Sequence, residues 1–563
     1  MAAYSKLASG GIMDSALTSP MLLSAAILLA VVSIVRYFSD MPKKLDLPVV
    51  GAPGGNDQRE ALLEGAARYP NSPFIVQSRV PMVILPVSVI DEVRNLPENK
   101  VSLTEYVKRV MAYKQTEYVP LIAWRSLSSA DPVASPAALC TPSNRTSIGG
   151  DHPEMIQAIK VDLTRHIAST LNSLQEEVVY GFNKEFGPCK DWTSFKLYGK
   201  VTRLVALLSG RVFVGQPLCR EEEWIEASIM YTFYAIAARN AVNAYPAFLR
   251  SIVAPFIPEL KKLKKFRDRG AELLKPILDA QLSKDQKEKS PRDDADDDQG
   301  FMISWLLRRT PQNKRTDAAL LSSHQMALSL AAIHTTSMAT TAAIYDLATY
   351  PEYVQPLRDE IEQVTATDGC DIDGDGTVKL KKSSLPKLLK LDSFMKESQR
   401  LTPPGLPSGQ RVTTSSIPLS TGLTLPKGTC FSFPAYAIHN SSTTEIFNPS
   451  HNPAGTKPVS EFDGLRFYKL RAIPGNEHKY QYVTTASDSL NFGHGNHACP
   501  GRFFASNEIK VILIELLRNW DIRFKGDVSG KGGVEMRPKN TYLDITCKPD
   551  TQAEVEFRRR RLV

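Results

Sequence analysis

Residues Ala318 to Tyr345 form an uncharged run of 28 residues, and this run constrains the fold more than any other segment. As an α-helix it is about 42 Å long, enough to cross a bilayer. It is too polar for that role: Ser322, Ser323, His324, Gln325, Ser329, His334, Thr335, Thr336 and Thr340 interrupt it. A long helix without charges, yet studded with hydroxyls and imidazoles, belongs inside a large protein, with part of its surface open to a pocket. Thr316-Asp317 supplies an N-cap and Pro351 follows the end.

The chain has 563 residues, of which 42% are hydrophobic and 23% charged, so it has apolar surface enough to bury such a helix. Length alone suggests three or four domains, or one large enzyme domain with extensions. The net charge of +8 is mild and not clustered, which argues against a nucleic-acid partner and suits a membrane surface or an acidic protein. Seven dispersed cysteines without a CxxC pair show neither a disulfide framework nor a zinc site.

A second uncharged run, Ser15 to Val35, has 21 residues, ends almost wholly apolar and carries no comparable polar lacing. It is the transmembrane candidate within residues 1–40. Lys6 alone precedes it whereas Arg36, Lys43 and Lys44 follow, so the rest of the chain is expected on the cytosolic side, and a cleaved signal peptide is disfavoured. The sequons at Asn144 and Asn440 then stay unglycosylated. Residues 41–55, rich in Pro and Gly, read as a linker. Residues 56–550 read as the catalytic domain and 551–563, ending FRRRRLV, as a solvated basic tail. Lys284 to Asp298 reads as a charged loop. Asp371, Asp373, Asp375 and Gly376 imitate a calcium loop, but Lys382 occupies the position of its bidentate Glu, which excludes calcium. Helices are expected over Lys387–Leu401 and Phe504–Trp520. Short strands are expected at QRVTTS, GTCFSFPAYAI, QYVTT and TYLDITC. The fold class is therefore mainly α with small β-sheets.

The chemistry concentrates in Phe492 to Gly501, FGHGNHACPG. Gly493, Gly495 and Gly501 permit unusual backbone angles and a helix follows at once, so Cys499 sits where N–H groups and a positive helix end meet its sulfur. An isolated buried cysteine would be a plain core residue. Two further features are informative only jointly: Glu397 and Arg400, three apart on one helix face, and Arg466 in FDGLRF. Taken singly, each would be an ordinary surface charge.

Phe492, Gly495, His497, Cys499 and Gly501 resemble the haem-binding loop of the cytochrome P-450 superfamily, Phe-x-x-Gly-x-(Arg/His)-x-Cys-x-Gly, at every fixed position. Glu397-Ser-Gln-Arg400 is similar to that family's ExxR pair and Arg466 to its PxRF-like arginine. Ala331-Ala-Ile-His-Thr-Thr336 resembles its central-helix pattern, with Ala332 replacing a glycine and His334 replacing an acid. The resemblance implies a cytochrome P-450 fold behind a single transmembrane helix, with haem b as cofactor and Cys499 as axial thiolate. It implies Phe492 packed on the sulfur, His497 and Arg411 at the propionates, Glu397, Arg400 and Arg466 as a structural network, and Thr335 on the oxygen side, with His334 beside it. Arg411 reads equally as a solvated loop arginine, and His334 equally as a packed helix residue. The family's Trp-x-x-x-Arg is not found.

The function so implied is a haem-thiolate monooxygenase that oxidises a lipophilic substrate with O₂. Electrons would come from NADPH through a separate reductase that docks near Cys499, since no GxGxxG fingerprint is present. The wording around Thr335 resembles fungal secondary-metabolite members, which points to a terpenoid, with polyketide or alkaloid as alternatives. The expected location is the endoplasmic reticulum membrane, in contact with lipid. A haem-thiolate isomerase or dehydratase is the first rival, and a non-catalytic haem sensor the second. Thr335 argues against the isomerase.

Overall fold

The computed structural model describes residues 45–52, 57–112, 153–246, 249–287, 302–372, 378–442 and 455–560. The anchor expected over Ser15–Val35 lies outside them. Twelve helices carry the argument: α1 (Arg59–Arg68), α2 (Leu103–Val110), α3 (Ile167–Phe186), α4 (Leu197–Phe213), α5 (Glu222–Asn243), α6 (Pro258–Lys287), α7 (Met302–Arg309), α8 (Ala318–Thr349), α9 (Val354–Asp368), α10 (Leu389–Leu401), α11 (Arg466–Arg471) and α12 (Arg502–Asn519).

The uncharged run is α8, and it is the spine of the protein: α4, α5, α6, α10 and α12 all pack on it. Asp317 caps it by accepting from the Leu320 N–H at 3.0 Å. Among the described residues it is the one helix long and apolar enough to cross a membrane, yet it is mostly covered by protein. Its apolar side chains join a core that holds Trp224, Trp305 and Trp520.

The sheets are small. β1 (Val49–Val50), β2 (Phe74–Val76), β3 (Met82–Ile84), β4 (Val101–Ser102), β8 (Ser408–Thr413) and β11 (Cys430–Phe433) form a mixed sheet in the order β1-β2-β3-β11-β8-β4. β5 (Thr193–Lys196), β12 (Trp520–Phe524) and β15 (Glu554–Arg559) form a second, with β15 central. Three two-stranded ribbons complete the set: β6 (Cys370–Ile372) with β7 (Val378–Leu380), β9 (Ile417–Pro418) with β10 (Thr424–Leu425), and β13 (Thr541–Leu543) with β14 (Thr546–Lys548).

Several local expectations need correction. The basic tail 551–563 is not solvated through residue 560. Val555 and Phe557 alternate into the core as β15, Arg558 pairs with Asp521 at 3.1 Å, and Arg560 donates to the Leu517 and Arg518 carbonyls at the end of α12. Part of the linker 41–55 is structured too: Val49 and Val50 add a parallel strand beside Ile75 and Val76. QYVTT is not a strand, because α10 claims its backbone: Tyr482 N–H donates to Asp392 and Lys396 Nζ donates to the Gln481 carbonyl. GTCFSFPAYAI turns helical after Pro434, and TYLDITC folds back on itself at Asp544, which has φ 56°. Lys284–Lys287 finish α6 rather than opening a loop, and residues 288–301 lie outside the described set.

Candidate active site

The loop before α12 is built around glycine. Gly493 and Gly495 adopt φ of 69° and 72°, and a Cβ on Gly495 would lie 2.6 Å from the Arg94 carbonyl oxygen, so only glycine lets this loop press against residues 94–96. Cys499 N–H donates to the Phe492 carbonyl at 2.7 Å, which closes the loop, and Arg502 Nη1 donates to the Cys499 carbonyl at 2.9 Å. The thiol is half-buried at the start of α12. Burial pushes it above its usual range, against the opposing pull of the Gly501 N–H and Arg502. Such a sulfur becomes a thiolate only with a cation directly beside it.

Further contacts hold the loop in place. Leu490 donates its N–H to His439 Nε2 at 3.1 Å and accepts from Ser408 Oγ at 2.7 Å. The Phe492 ring meets buried Tyr482 edge-on at 5.3 Å. Sequence reasoning missed Tyr482, His439 and Ser408, and nothing in their local sequence marks them.

Behind the loop, Glu397, Arg400 and Arg466 come together, all fully buried. Arg400 grips Glu397 with two bonds of 2.8 Å, and Arg466 Nε donates to both Glu397 oxygens at 3.2 and 3.3 Å. The Asp463 N–H adds a further bond at 2.9 Å. The remaining guanidinium hydrogens reach the carbonyls of His439, Pro458, Val459 and Glu461 and the Asn440 side chain. A network this complete stitches α10 to the loop preceding α11.

Arg411 and His497 line one cavity between β8, β11 and the Cys499 loop, together with Arg94 and His494. Arg411 is buried, with its neighbour Gln410 accepting from Nη1 at 2.6 Å, and burial lowers it to about 10. Burial and the Arg411 charge lower His497. His497 Nε2 also stands 3.4 Å from the Leu96 carbonyl. Arg94 Nη1 lies 2.6 Å from His494 Nε2, a pair that sequence reasoning also missed.

On α8, Ala331 and Thr335 are uncovered while Ile333, Thr336 and Ser337 are buried, so one small-residue face of an otherwise enclosed helix is left open. Thr335 Oγ1 donates to the Ala331 carbonyl at 2.7 Å, which turns its lone pairs outward. His334 is held neutral, its pKa lowered to about 4 by burial and by the Lys548 and Arg239 charges.

The sequence profile of the family described as Cytochrome P450 matches residues 164–543. The chain belongs to the cytochrome P450 family. It is 49% identical over 543 residues to the cytochrome P450 monooxygenase ascG of Acremonium egyptiacum, covering 96% of each chain. To the cytochrome P450 monooxygenase BOA7 of Botryotinia fuckeliana it is 42% identical over 527 residues, covering 92% of this chain and 91% of the relative. It is a P450 monooxygenase, mainly helical with small sheets. Membership implies haem as cofactor and a redox partner, a substrate and O₂ as reactants. The residues present fit that cofactor. A soft sulfur donor stands on a glycine-framed loop, the buried Arg411 guanidinium lines a cavity beside that loop together with His497, whose Nδ1 has Glu98 at 3.7 Å, and a helix face of small residues is uncovered.

Proposed function

We propose that Cys499 ligates the iron of haem b, and that the enzyme inserts oxygen into a lipophilic secondary metabolite of terpenoid type. The observation that carries this reading is the Cys499 loop itself, closed on Phe492 at the start of a helix that packs on α8. When bound, the haem thiolate supplies the electron-rich iron that favours O–O cleavage. The protein does the rest. Gly493 and Gly495 set the loop's path, Phe492 and Tyr482 cover its flank, and Arg411 and His497 neutralise carboxylates entering their cavity. Glu397, Arg400 and Arg466 hold the chain behind the loop. Thr335 orients a water or hydroxyl proton over the open face of α8, and neutral His334 offers no carboxylate relay. Electrons come from a separate NADPH-dependent reductase attracted by basic groups near Cys499. The domain faces the cytosol from the endoplasmic reticulum membrane, tethered by Ser15–Val35.

Cys499→Ser tests the reading directly. The folded variant is expected to lose the red-shifted Soret band of the ferrous carbon monoxide complex, and persistence of that band overturns the assignment. Removal of residues 1–40 is expected to release most of the protein from membranes in carbonate extraction. Incubation of the full chain with a reductase, NADPH and terpenoid, polyketide and alkaloid scaffolds, followed by mass spectrometry, separates the substrate classes. A product isomeric with its substrate, formed without NADPH consumption, would favour the isomerase.

A further inference from the structure

Five segments distant in sequence converge around His334 of α8, with no residue in common with the Arg400 network. They are the end of α5, with Arg239 and Asn240; the turn after β2, with Arg79; the β13–β14 ribbon, with Asp544 and Lys548; α2, with Tyr106; and α8 itself, with His334. Asn243 Nδ2 ties α5 to the Val110 carbonyl at the end of α2 at 2.8 Å, and the Arg79 N–H ties its turn to Asp544 Oδ1 at 3.2 Å.

The charges here do not balance. Arg79 Nη1 donates to Asn240 Oδ1 at 2.9 Å, and Arg239 donates to the same oxygen through Nε at 3.2 Å and Nη2 at 3.1 Å. Two guanidinium groups thus share one neutral acceptor. Lys548 Nζ stands 5.3 Å over the Tyr198 ring. Among the described residues no carboxylate comes within ion-pair distance of Arg79, Arg239 or Lys548. Burial lowers Arg239, with Arg79 adding repulsion and with Tyr106 and Asp544 opposing. Burial alone lowers Lys548. His334, where the family pattern has an acid, contributes no counter-charge. A half-buried cation held only by a neutral amide oxygen or an aromatic face gains when an anion completes it. The exposure grades inward, from open Arg79 to half-buried Arg239 and Lys548.

We propose that this cluster is the recognition site for an anionic oxygen, carboxylate or phenolate, on the enzyme's lipophilic substrate, with Arg239 as its principal ligand and Lys548 as a second. The substrate class is therefore an acidic lipophile. The inference rests on the monooxygenase reading only in taking the ligand to be the substrate. Asn240 would hand its two guanidinium partners to the incoming anion, an exchange of a neutral acceptor for a charged one.

The test is equilibrium dialysis of the full-length holoenzyme with two matched pairs, dodecanoic acid against methyl dodecanoate, and 4-nonyl-2-nitrophenol against its methyl ether at about pH 8. At least one acid is expected to bind about tenfold or more tightly than its neutral partner, and the acid that does so identifies the source of the oxyanion. Arg239→Gln is expected to abolish the preference and Arg239→Lys to retain part of it. Lys548→Met, which leaves α5 intact, is expected to weaken it and carries the test should Arg239→Gln fail to fold. Equal affinity within both pairs overturns the proposal, as does a preference that survives both Arg239→Gln and Lys548→Met. The wild-type carbon monoxide spectrum, recorded on the same samples, reports separately on the haem reading.

Discussion

The protein holds arginine in two ways in two clusters along α8. Behind the Cys499 loop, Arg400 and Arg466 spend nearly every donor on Glu397 and a ring of carbonyls, and nothing remains for a ligand. Near His334, Arg239 and Arg79 share one amide oxygen, and Lys548 has only an aromatic face. A completed charge network has all its partners within the chain and is structural. An incomplete one has a vacancy in its chemistry, and that vacancy points to a ligand.

The comparison breaks first at Glu397. Removing one member of a satisfied buried network strands the others at about 3–5 kcal/mol, a large share of the ~5–15 kcal/mol that holds a typical domain together. Glu397→Ala and Arg400→Ala are each expected to lose haem and folded protein. Normal haem content in either variant would show the network to be dispensable. On the open side of α8 the expected losses are functional. Thr335→Ala is expected to leave haem content and substrate affinity in place while the ratio of product to NADPH falls by about threefold or more, with hydrogen peroxide rising. Unchanged coupling would transfer the role to Thr336.

The smallest effect concerns His334. Its folded pKa of about 4 lies below the ordinary 6.5, so between these values the unfolded chain binds the extra proton. Stability is therefore intact above about pH 6.5 and declines as pH falls toward 4, by on the order of 1 kcal/mol per pH unit from this group. Urea midpoints for His334→Gln measured from pH 7 to 4.5 are expected to fall less steeply than those of the wild type. Parallel curves would mean that the imidazole reaches water.

These two clusters differed equally in how far the sequence revealed them. Glu397 and Arg400 lie on one helix turn and Cys499 within ten residues of its glycines, so short stretches of chain that resemble the family's motifs exposed them. Arg239, Arg79 and Lys548 are unremarkable where they stand, and only the packing of α5 and the β13–β14 ribbon around α8 assembles them. The spine helix was legible because 28 uncharged residues leave little alternative. The basic end of the chain misled because four consecutive arginines dominate its composition, while the period-two pair Val555 and Phe557 decides its placement. QYVTT misled because strand propensity yields when side chains of α10 claim the backbone.

The central position of β15 has a consequence during protein synthesis. β5 pairs with a strand some 360 residues downstream, as the contact between Ser194 and Glu554 shows. At roughly 5–20 residues per second, a ribosome needs on the order of 20–70 s to make the intervening chain. For that interval the nascent β5 has an unpaired edge, and Phe186 and Phe195 lack Phe557, the ring that later packs on both. The segment around residues 186–196 is thus the expected landing place for a chaperone on the growing polypeptide, vacated when Phe557 emerges and the sheet closes.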